Sequence, residues 1–314
     1  MRRGWLILML TVVAGWTSFA QEERVRFDDY RSGFNQDVLA LQILLDRLNF
    51  SCNCIDGCWG KRTQIALMAW QAVNNKEVTG IPTAEILNEL GDDGAVLMTY
   101  TVTDNDLKEL GPFPDDWLER SRLPALKYVT LQEMLAERSH ASERLIERLN
   151  PTATWPNPPA GTELILPNVT QPKSRVKVDS IRISLGRMEV TLFDAAGKMI
   201  ALFPCSIARD KARRPVGNLT VKDVAQNPTY TYDPQLFKPG GPEKAKLIIP
   251  PGPNNPVGVA WISLSIQGFG MHGTPFPERI GNAESKGCFR LANWNAEKFY
   301  RMIVLGIPVV VEED

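Results

Sequence analysis

The sequence predicts a multidomain fold, in which a three-helix domain and a small α+β module precede a mostly-β domain of sandwich or barrel type with one or two helices. Residues 33–92 place leucines at helical spacing. Residues 97–168 contain two helical runs between two strand-like runs. Residues 175–314 consist mainly of alternating and β-branched runs broken by glycine turns. A chain of 314 residues is long enough for two or three such domains.

The composition is that of a globular protein with no marked charge. Hydrophobic residues make up 44% of the chain and charged residues 23%, which is too apolar for a disordered protein. Lys and Arg number 35 and Asp and Glu number 36, so the net charge is −1. This balance argues against nucleic acid as the main partner.

The first twenty residues have the pattern of a secretory signal peptide. Arg2 and Arg3 precede an apolar stretch over 5–16, and the small residues Ser18 and Ala20 stand at the −3 and −1 positions of a cleavage site. Cleavage after residue 20 removes both arginines and brings the net charge from −1 to −3. The alternative is an uncleaved N-terminal anchor. The rest of the chain has no long apolar run, so we expect an exported protein of the periplasm or cell wall without a stable membrane span.

Three of the five cysteines, Cys52, Cys54 and Cys58, crowd into "SCNCIDGCWG". Export permits disulfides, and three thiols without a nearby histidine make a poor zinc site, so a local disulfide is preferred over a metal. Cys52–Cys58 is the favoured pair and Cys54–Cys58 stays open. Five is an odd number, so at least one thiol remains unpaired. We expect Cys205 to be a buried strand residue.

Residues 33–92 read as a helical domain with two amphipathic helices and a shorter third. A leucine-rich run over 35–50 is followed by the turn "IDGCWG", by the run "TQIALMAWQAVN" with Thr63 as its predicted N-cap, and by "TGIPTAEILNEL". This order resembles the peptidoglycan-binding module of bacterial cell-wall enzymes, including its W-G turn and its "WQ" signature. An unrelated three-helix bundle is the alternative.

Residues 97–168 run from "LMTYTV" through "TLQEMLAERSHASERLIERLNP" to "PAGTELILPN". The order of strand, helix, helix and strand resembles a LysM glycan-binding motif with a long insert. The leucines expected on the buried helix faces are Leu131, Leu135, Leu145 and Leu149. His140 stands among charged residues and is predicted to be exposed. The proline-rich segments "WPNPPAG" and "VTQPKS" are predicted linkers.

The stretch "MHGTPFPERIGNAESKGCFRL" contains the chemistry-bearing pair of the chain, His272 and Cys288. A cysteine nucleophile needs a base, a group that orients the base, and donors for the oxyanion. The tight turn before the cysteine can aim the N–H groups of Gly287 and Cys288 at an oxyanion. Lys286 and Arg290 place positive charge near the sulfur, which is expected to lower the pKa of the thiol.

These residues resemble the signature of bacterial L,D-transpeptidases, in which H-G is followed after a loop by S/T-H-G-C, an apolar residue and R/N. His272-Gly273, Ser285 and the run "GCFR" match it. The segments "RRPVGNLTV" and "NNPVGVAWISLS" extend the resemblance over roughly 175–312. One position departs from the pattern, because Lys286 stands where the family has a second histidine. Lysine keeps a positive charge but cannot act as a neutral acceptor near pH 7.

The resemblance implies an acyl transfer at the peptidoglycan wall that needs no cofactor. Cys288 would attack the amide between a stem diamino acid and its terminal D-Ala, with His272 as acid and base. The thioester would pass to an amine of a second stem, forming a 3→3 crosslink, or to a protein lysine, a D-amino acid or water. Gly273 and Ser285 would hold the site. Arg290 would bind a carboxylate or shape the turn, or would pair with Glu278 or Glu284.

The implied partners are stem peptides as substrate, glycan strands at the N-terminal modules, and a wall-attached protein acceptor. An L,D-carboxypeptidase on the same scaffold is the nearest alternative, and a non-catalytic wall-binding adaptor is another, supported only by Lys286. A sortase places its histidine much further upstream of its cysteine, and papain-like peptidases place the cysteine first. The Pro/Gly-rich stretch 233–258 is predicted to be a flap over the cleft or a long structural insertion.

Overall fold

The structure is a computed structural model that describes residues 27, 29–91, 95–170, 177–237 and 245–313. The predicted signal peptide, residues 1–20, lies outside the described residues. Among the described helices, none is both long enough and apolar enough to cross a membrane. The three parts of the described chain are named here the helical module (29–91), the α+β module (95–170) and the C-terminal domain (177–313).

The helical module contains three helices, which are α1 (Gln36–Arg47), α2 (Lys61–Val73) and α3 (Ala84–Glu89). Asn35 caps α1, since its side chain accepts hydrogen bonds from the N–H groups of Asp37 and Val38. The prediction that Thr63 caps α2 is wrong, because α2 begins two residues earlier, after Gly60. The Thr63 hydroxyl instead accepts a hydrogen bond from Gln42 of α1 at 3.0 Å and so ties the two helices together.

The α+β module is closed by two antiparallel strands at its ends. Its elements are β1 (Leu97–Thr101), α4 (Asp104–Lys108), α5 (Trp117–Ser121), α6 (Leu131–Arg138), α7 (Glu143–Leu149) and β2 (Glu163–Pro167). Strand β1 pairs with β2 in a register that places Tyr100 opposite Leu164. Thr130 and Glu133 form a capping box that begins α6. Leu131, Leu135 and Leu145 are buried as predicted, and Leu149 packs against them partly buried.

The C-terminal domain is mostly β, as predicted. Its strands are β3 (Ser180–Ser184), β4 (Glu189–Phe193), β5 (Met199–Pro204), β6 (Ile207–Ala208), β7 (Gly217–Gln226), β8 (Tyr230–Tyr232), β9 (Leu247–Ile249), β10 (Ala260–Leu264), β11 (Gly270–His272), β12 (Ala283–Ser285), β13 (Phe289–Arg290) and β14 (Pro308–Glu312). Its α-helices are α8 (Pro234–Phe237) and α9 (Asn293–Met302). One eight-stranded sheet runs in the order β13-β11-β10-β7-β14-β3-β4-β5.

The core of the C-terminal domain lies between this sheet and α9. Phe203, Phe289 and Phe299 are among its largest fully buried side chains. Most neighbouring strands are antiparallel, but β11 pairs in parallel with β13, and β14 pairs in parallel with β3. The parallel pair β11–β13 carries the signature residues, so the curled end of the sheet positions the candidate site.

Helix α9 carries buried polar side chains that contact both N-terminal modules. The Lys298 ammonium donates to the Asp46 carboxylate of α1 at 2.8 Å, and His140 Nδ1 lies 2.7 Å from the same carboxylate oxygen. Asp46 is 0% and Lys298 8% exposed. Burial opposes ionisation of Asp46, but the charges of Lys298 and His140 hold the pKa of this carboxyl well below its usual range.

The prediction that His140 is an exposed surface residue is wrong. Its imidazole side chain is 12% exposed, and its ring stacks on Trp294 of α9 with 5.6 Å between ring centroids. Burial lowers the pKa of His140, although the neighbouring Asp46 opposes that shift. Local sequence around His140 is charged, and only the packing of three distant segments takes its ring out of solvent.

Further contacts fasten the modules to the C-terminal domain. The Asn295 side chain donates to Ser51 at 2.9 Å, and the backbone of Leu202 on edge strand β5 pairs with residues 49 and 51. This pairing covers one edge of the large sheet. The predicted linker 155–161 is packed as well, since the Pro156 carbonyl and the Asn157 side chain accept the first N–H groups of α6. The described modules therefore pack against the C-terminal domain and are not independent units joined only by linkers.

Replacing Lys298 should destabilise the whole chain. Lys298→Met leaves the buried Asp46 carboxylate without its ammonium, and removing one partner of a buried pair costs about 3–5 kcal/mol of unfolding free energy. The matched control is Arg301→Met on the same helix, because Arg301 pairs with Glu297 at the surface and such pairs contribute about 0–1 kcal/mol. Urea unfolding of both variants measures the difference. Equal losses would mean that the buried cluster does not hold the modules.

Candidate active site

The site is built on the short strand β11, which lies between β10 and β13. His272 is opposite Trp261 of β10 on one side and opposite Arg290 of β13 on the other. Because successive side chains of a strand point to opposite faces, the register separates the residues of this region into two sets. Met271 and Phe289 point into the core, which leaves His272 and Arg290 on the opposite face.

Cys288 belongs to the same face as His272. It directly precedes β13, and continuing the observed register places it beside Gly270. Cys288 lies two positions before Arg290, as Gly270 lies two positions before His272, so the thiol, the imidazole and the guanidinium lie on one face of the parallel pair. The structure thus brings together the sequence-predicted residues His272, Cys288 and Arg290, although Cys288 lies sixteen positions after His272 in the sequence.

The His272 imidazole is oriented by the backbone and by one aromatic ring. Its Nδ1 lies 2.6 Å from the carbonyl oxygen of Gly273, so Nδ1 carries the proton and Nε2 is left with a lone pair. Trp261 stacks on the ring with 5.5 Å between centroids. Sequence reasoning missed Trp261, since it is adjacent only through the antiparallel pairing of β10 with β11.

The electrostatics keep this imidazole neutral at pH 7. The pKa of His272 is lowered to about 4, mainly by burial and to a smaller extent by the charge of Arg290, while the hydrogen bond to Gly273 opposes the shift. A buried neutral imidazole with one free lone pair can accept a proton, which is the state that a general base needs before the reaction starts.

Gly273 is required by a close approach. A Cβ atom at this position would lie 2.3 Å from the Asn293 side-chain oxygen and 3.3 Å from Gly258. Asn293 itself donates to Glu137 of α6 at 2.8 Å and to the Pro253 carbonyl at 2.9 Å. The residue that orients His272 is therefore packed against a side chain that also binds the α+β module.

The Cys288 thiol is half-buried and uncharged at rest. Its sulfur lies 3.7 Å from the carbonyl oxygen of Gly268. Burial raises the pKa of the Cys288 thiol, whereas the Gly270 N–H and the charge of Arg290 lower it by less. The expectation of a lowered thiol pKa is wrong, because desolvation outweighs the cation. Within the described ranges no hydrogen bond joins this sulfur to His272.

Of the two N–H groups predicted to donate to an oxyanion, those of Gly287 and Cys288, the structure engages one in another hydrogen bond. The Ser285 hydroxyl donates to the Cys288 carbonyl at 2.6 Å and accepts from the Gly287 N–H at 3.2 Å. The Gly287 N–H is therefore already used inside the turn, and the Cys288 N–H is the predicted donor that stays a candidate. Ser285 thus stabilises this turn through two hydrogen bonds of its hydroxyl.

Lys286 makes hydrogen bonds away from the sulfur, with α8 and with Arg213. Its exposed ammonium donates to the Leu236 carbonyl of α8 at 3.1 Å, and its own carbonyl accepts from Arg213. Burial and the charge of Arg213 lower the pKa of Lys286. Lys286 thus connects the cysteine turn to the segment that precedes β9, which is part of the predicted flap 233–258.

Arg290 forms no ion pair, within the described ranges, with either of the carboxylates predicted to pair with it. Glu284 instead forms an ion pair with Arg279 at 2.8 Å, and no ion pair in the described ranges contains Arg290 or Glu278. The Arg290 Nε atom is buried and has no hydrogen-bond partner in the structure. Its backbone exchanges hydrogen bonds with Ser206, which fixes β13 against the rest of the domain.

All five cysteines are free thiols in the structure. The disulfide predicted among Cys52, Cys54 and Cys58 is not formed, and its formation in the exported protein stays a prediction. Cys205 is fully buried just after β5, and burial raises its pKa to about 12. In the described part of the chain, no group of three His, Cys, Asp or Glu side chains is arranged to hold a metal ion.

The His272 ring should titrate far below an ordinary histidine. The folded chain has the lowered pKa of about 4, against 6.5 for a free ring, so between these values the unfolded chain binds a proton that the folded chain does not. The contribution of His272 to the free energy of unfolding is therefore fully present above pH 6.5. It is lost as the pH falls, and about 3 kcal/mol of it is gone near pH 4. Imidazole NMR shifts, assigned with His272→Asn, test this. Half-protonation near pH 6.5 would contradict it.

Arg290→Gln should slow the alkylation of Cys288 by iodoacetamide. Loss of the guanidinium raises the pKa of the thiol further, so less thiolate is present at every pH below it. Peptide mapping by mass spectrometry separates Cys288 from the other thiols. The matched control is Arg279→Gln, which removes a neighbouring charge that does not act on the sulfur. A profile for Arg290→Gln that coincides with the control would contradict the assigned role of Arg290.

Two family models match the chain. Residues 178–311 match the YkuD family, described as an L,D-transpeptidase catalytic domain. Residues 34–90 match a family described as "Putative peptidoglycan binding domain". These two segments are the ones that build the C-terminal domain and the helical module.

Similar proteins carry the same description. "Putative L,D-transpeptidase YkuD" of Bacillus licheniformis is 24% identical over 182 residues, which are 58% of this chain and 93% of that protein. "Putative L,D-transpeptidase YqjB" of Bacillus subtilis is 30% identical over 105 residues, 32% of this chain and 52% of that protein. The crystal structure of L,D-transpeptidase 3 from Mycobacterium tuberculosis covers 43% of this chain and 60% of its own, with 19% identity and a TM-score of 0.35. By the family matches, residues 178–311 form an L,D-transpeptidase catalytic domain of the YkuD family, and residues 34–90 ahead of it form a peptidoglycan-binding domain.

Proposed function

We propose that the chain is an exported cysteine L,D-transpeptidase that acts on peptidoglycan stem peptides. The observation that carries this proposal is the parallel register of β11 and β13, which places the Cys288 thiol and an oriented, neutral His272 on one face. The cell-wall setting is supported by the helical module, which matches a peptidoglycan-binding family. Export rests on the signal-peptide pattern of residues 1–20.

The first half of the reaction forms a thioester. The Cys288 side chain turns from the Gly268 carbonyl toward His272, and Nε2 takes the thiol proton. The sulfur attacks the carbonyl carbon of the amide between the stem diamino acid and D-Ala, and an S–C bond replaces the C–N bond. The imidazolium returns its proton to the departing amine, so D-Ala leaves neutral at nitrogen.

The second half transfers the acyl group. An amine of a second stem attacks the thioester carbon, the C–S bond breaks, and His272 carries the proton of the attacking amine to the thiolate. In this scheme the Cys288 N–H donates to the oxyanion of each tetrahedral intermediate. The product is a 3→3 crosslink when a stem amine attacks, an attached protein when a lysine attacks, and a shortened stem when water attacks.

In the resting state, the proposed nucleophile is held in its unreactive thiol form. The thiol is protonated and the imidazole is neutral, so proton transfer occurs only when substrate is bound and the thiol has turned. Arg290 lies beside both groups. Its positive charge favours thiolate and disfavours imidazolium, and it is available for a substrate carboxylate.

We further propose that residues 97–168 form a LysM-like module that binds glycan strands. Support comes from the order of β1, α6, α7 and β2, in which two helices lie between two paired strands. Helices α4 and α5 make up the insert between β1 and α6. The insert packs on the β8–β9 hairpin, where Trp117 stacks on Tyr232 with 4.3 Å between centroids.

Substituting Cys288 and His272 one at a time should distinguish the role of the nucleophile from that of the base. Cys288→Ala should abolish the acyl-enzyme formed with a tetrapeptide stem or a carbapenem. His272→Ala should slow acylation by about two to four orders of magnitude, the usual effect of a lost acid/base. Intact-protein mass spectrometry records the adduct, and muropeptide analysis identifies the acceptor. Cys205→Ala is the matched thiol control and should acylate normally.

Two results would contradict the proposal. An adduct on Cys288→Ala would exclude this sulfur as nucleophile. Equal acylation rates for the parent chain and His272→Ala would exclude His272 as the base. A parent chain that never acylates, with any stem peptide, would support the adaptor alternative instead.

A further inference from the structure

A large cavity lies where the two N-terminal modules meet the loop between His272 and Cys288, which is named here the catalytic loop. Its volume is about 1020 Å³, at the upper end of the range of small-ligand pockets. It is bounded by the start of α2, by the hairpin of α6 and α7, and by residues 275–280 of the loop between His272 and Cys288. Neither of those two residues lines it, so the cavity is separate from the thiol site.

The walls carry charges of both signs that have no ion-pair partners. Lys61 of α2 and Arg144 of α7 supply cations, and Glu143 of α7 and Glu278 of the catalytic loop supply carboxylates. None of these four residues takes part in an ion pair within the described ranges. Partial burial, together with the charges of Glu133 and Glu278, raises the pKa of Glu143.

The cationic wall is reinforced by the end of a helix. The first turn of α2 contains no acidic residue, and its N-cap, Gly60, has no side-chain capping bond. The N-terminus of a thirteen-residue helix attracts anions. Together with Lys61 and Arg62, this end of α2 favours a carboxylate, while the glutamate wall favours an ammonium group.

The floor of the cavity is the back of the catalytic loop. Pro275, Pro277 and Glu278 face the cavity, whereas Thr274 and Arg279 face a small space beside Arg290. The helical module supports this loop from the cavity side, because Asn53 donates to the Pro277 carbonyl at 2.7 Å. A ligand in the cavity would therefore touch the segment that connects the base to the nucleophile.

We infer that this cavity is a second peptide site, which binds a wall stem peptide carrying a free ammonium group and free carboxylates. A cavity lined by charges of both signs selects a ligand that carries both, and the position between two modules and the catalytic loop admits a peptide from the wall that the enzyme works on. The inference rests on the proposed function for the origin of the peptide. It adds a site that takes no part in bond breaking.

The probe is a stem tripeptide that ends in the diamino acid and lacks D-Ala, so it cannot acylate Cys288. Calorimetry on the full chain measures its Kd. The test variant is Arg144→Gln/Glu278→Gln, which removes one cation and one carboxylate from the cavity. The matched control is Arg122→Gln/Glu163→Gln, which removes the same charges from exposed positions outside it. Both variants keep the net charge of the parent.

We expect the cavity variant to raise the Kd at least about tenfold, and the control to change it less than about twofold. Acetylation of the side-chain amine of the tripeptide should weaken binding to the parent chain similarly. Equal affinities of cavity variant and control, or no binding by the parent chain, would overturn the inference. Acylation by a tetrapeptide is measured on the same samples. If the chain fails to acylate, the proposed function fails, and the tripeptide Kd still tests the cavity independently.

Discussion

The pairing of Lys298 with Asp46 is the constraint on which the arrangement of the modules depends. A buried carboxylate is tolerated only when cations and hydrogen bonds compensate for its lost hydration. Here the carboxylate comes from the helical module, one partner from the C-terminal domain, and His140 from the α+β module. The three parts must meet in one register for the charges to be satisfied, and the packed cores around α1 and α6 supply the apolar surroundings that make any other register costly.

This packing reaches the chemistry through α9. Asn293, at the start of α9, binds Glu137 of the α+β module and lies against Gly273, whose carbonyl orients His272. Burial raises the pKa of Glu137 to about 7, although Asn293 and Tyr128 donate to it. The residue that orients His272 is thus packed against a side chain that also contacts the α+β module. The geometry couples the modules to the loop by contact, without an intervening linker.

Desolvation decides the electrostatics of the site more than any single charge does. It lowers the pKa of His272 and raises that of Cys288, so both groups are neutral at rest. The charge of Arg290 acts on both groups and favours the charged sulfur. Lys286 donates to the Leu236 carbonyl and so fastens the cysteine turn to α8.

The sequence by itself determined the mostly-β C-terminal domain, the helices of residues 33–92 and the pairing of His272 with Cys288 as candidate residues. Local periodicity and the short motif from His272 to Arg290 carry that information, because they depend on near neighbours. Only the tertiary structure decided the burial of His140, the stacking of Trp261, the use of the Gly287 N–H inside its turn and the sign of the thiol pKa shift. The burial of His140, the stacking of Trp261 and the shift of the thiol pKa depend on groups that are distant along the chain and on how much water their packing excludes. The Gly287 N–H is held by the Ser285 hydroxyl within its own turn, and only the three-dimensional geometry of that turn shows it.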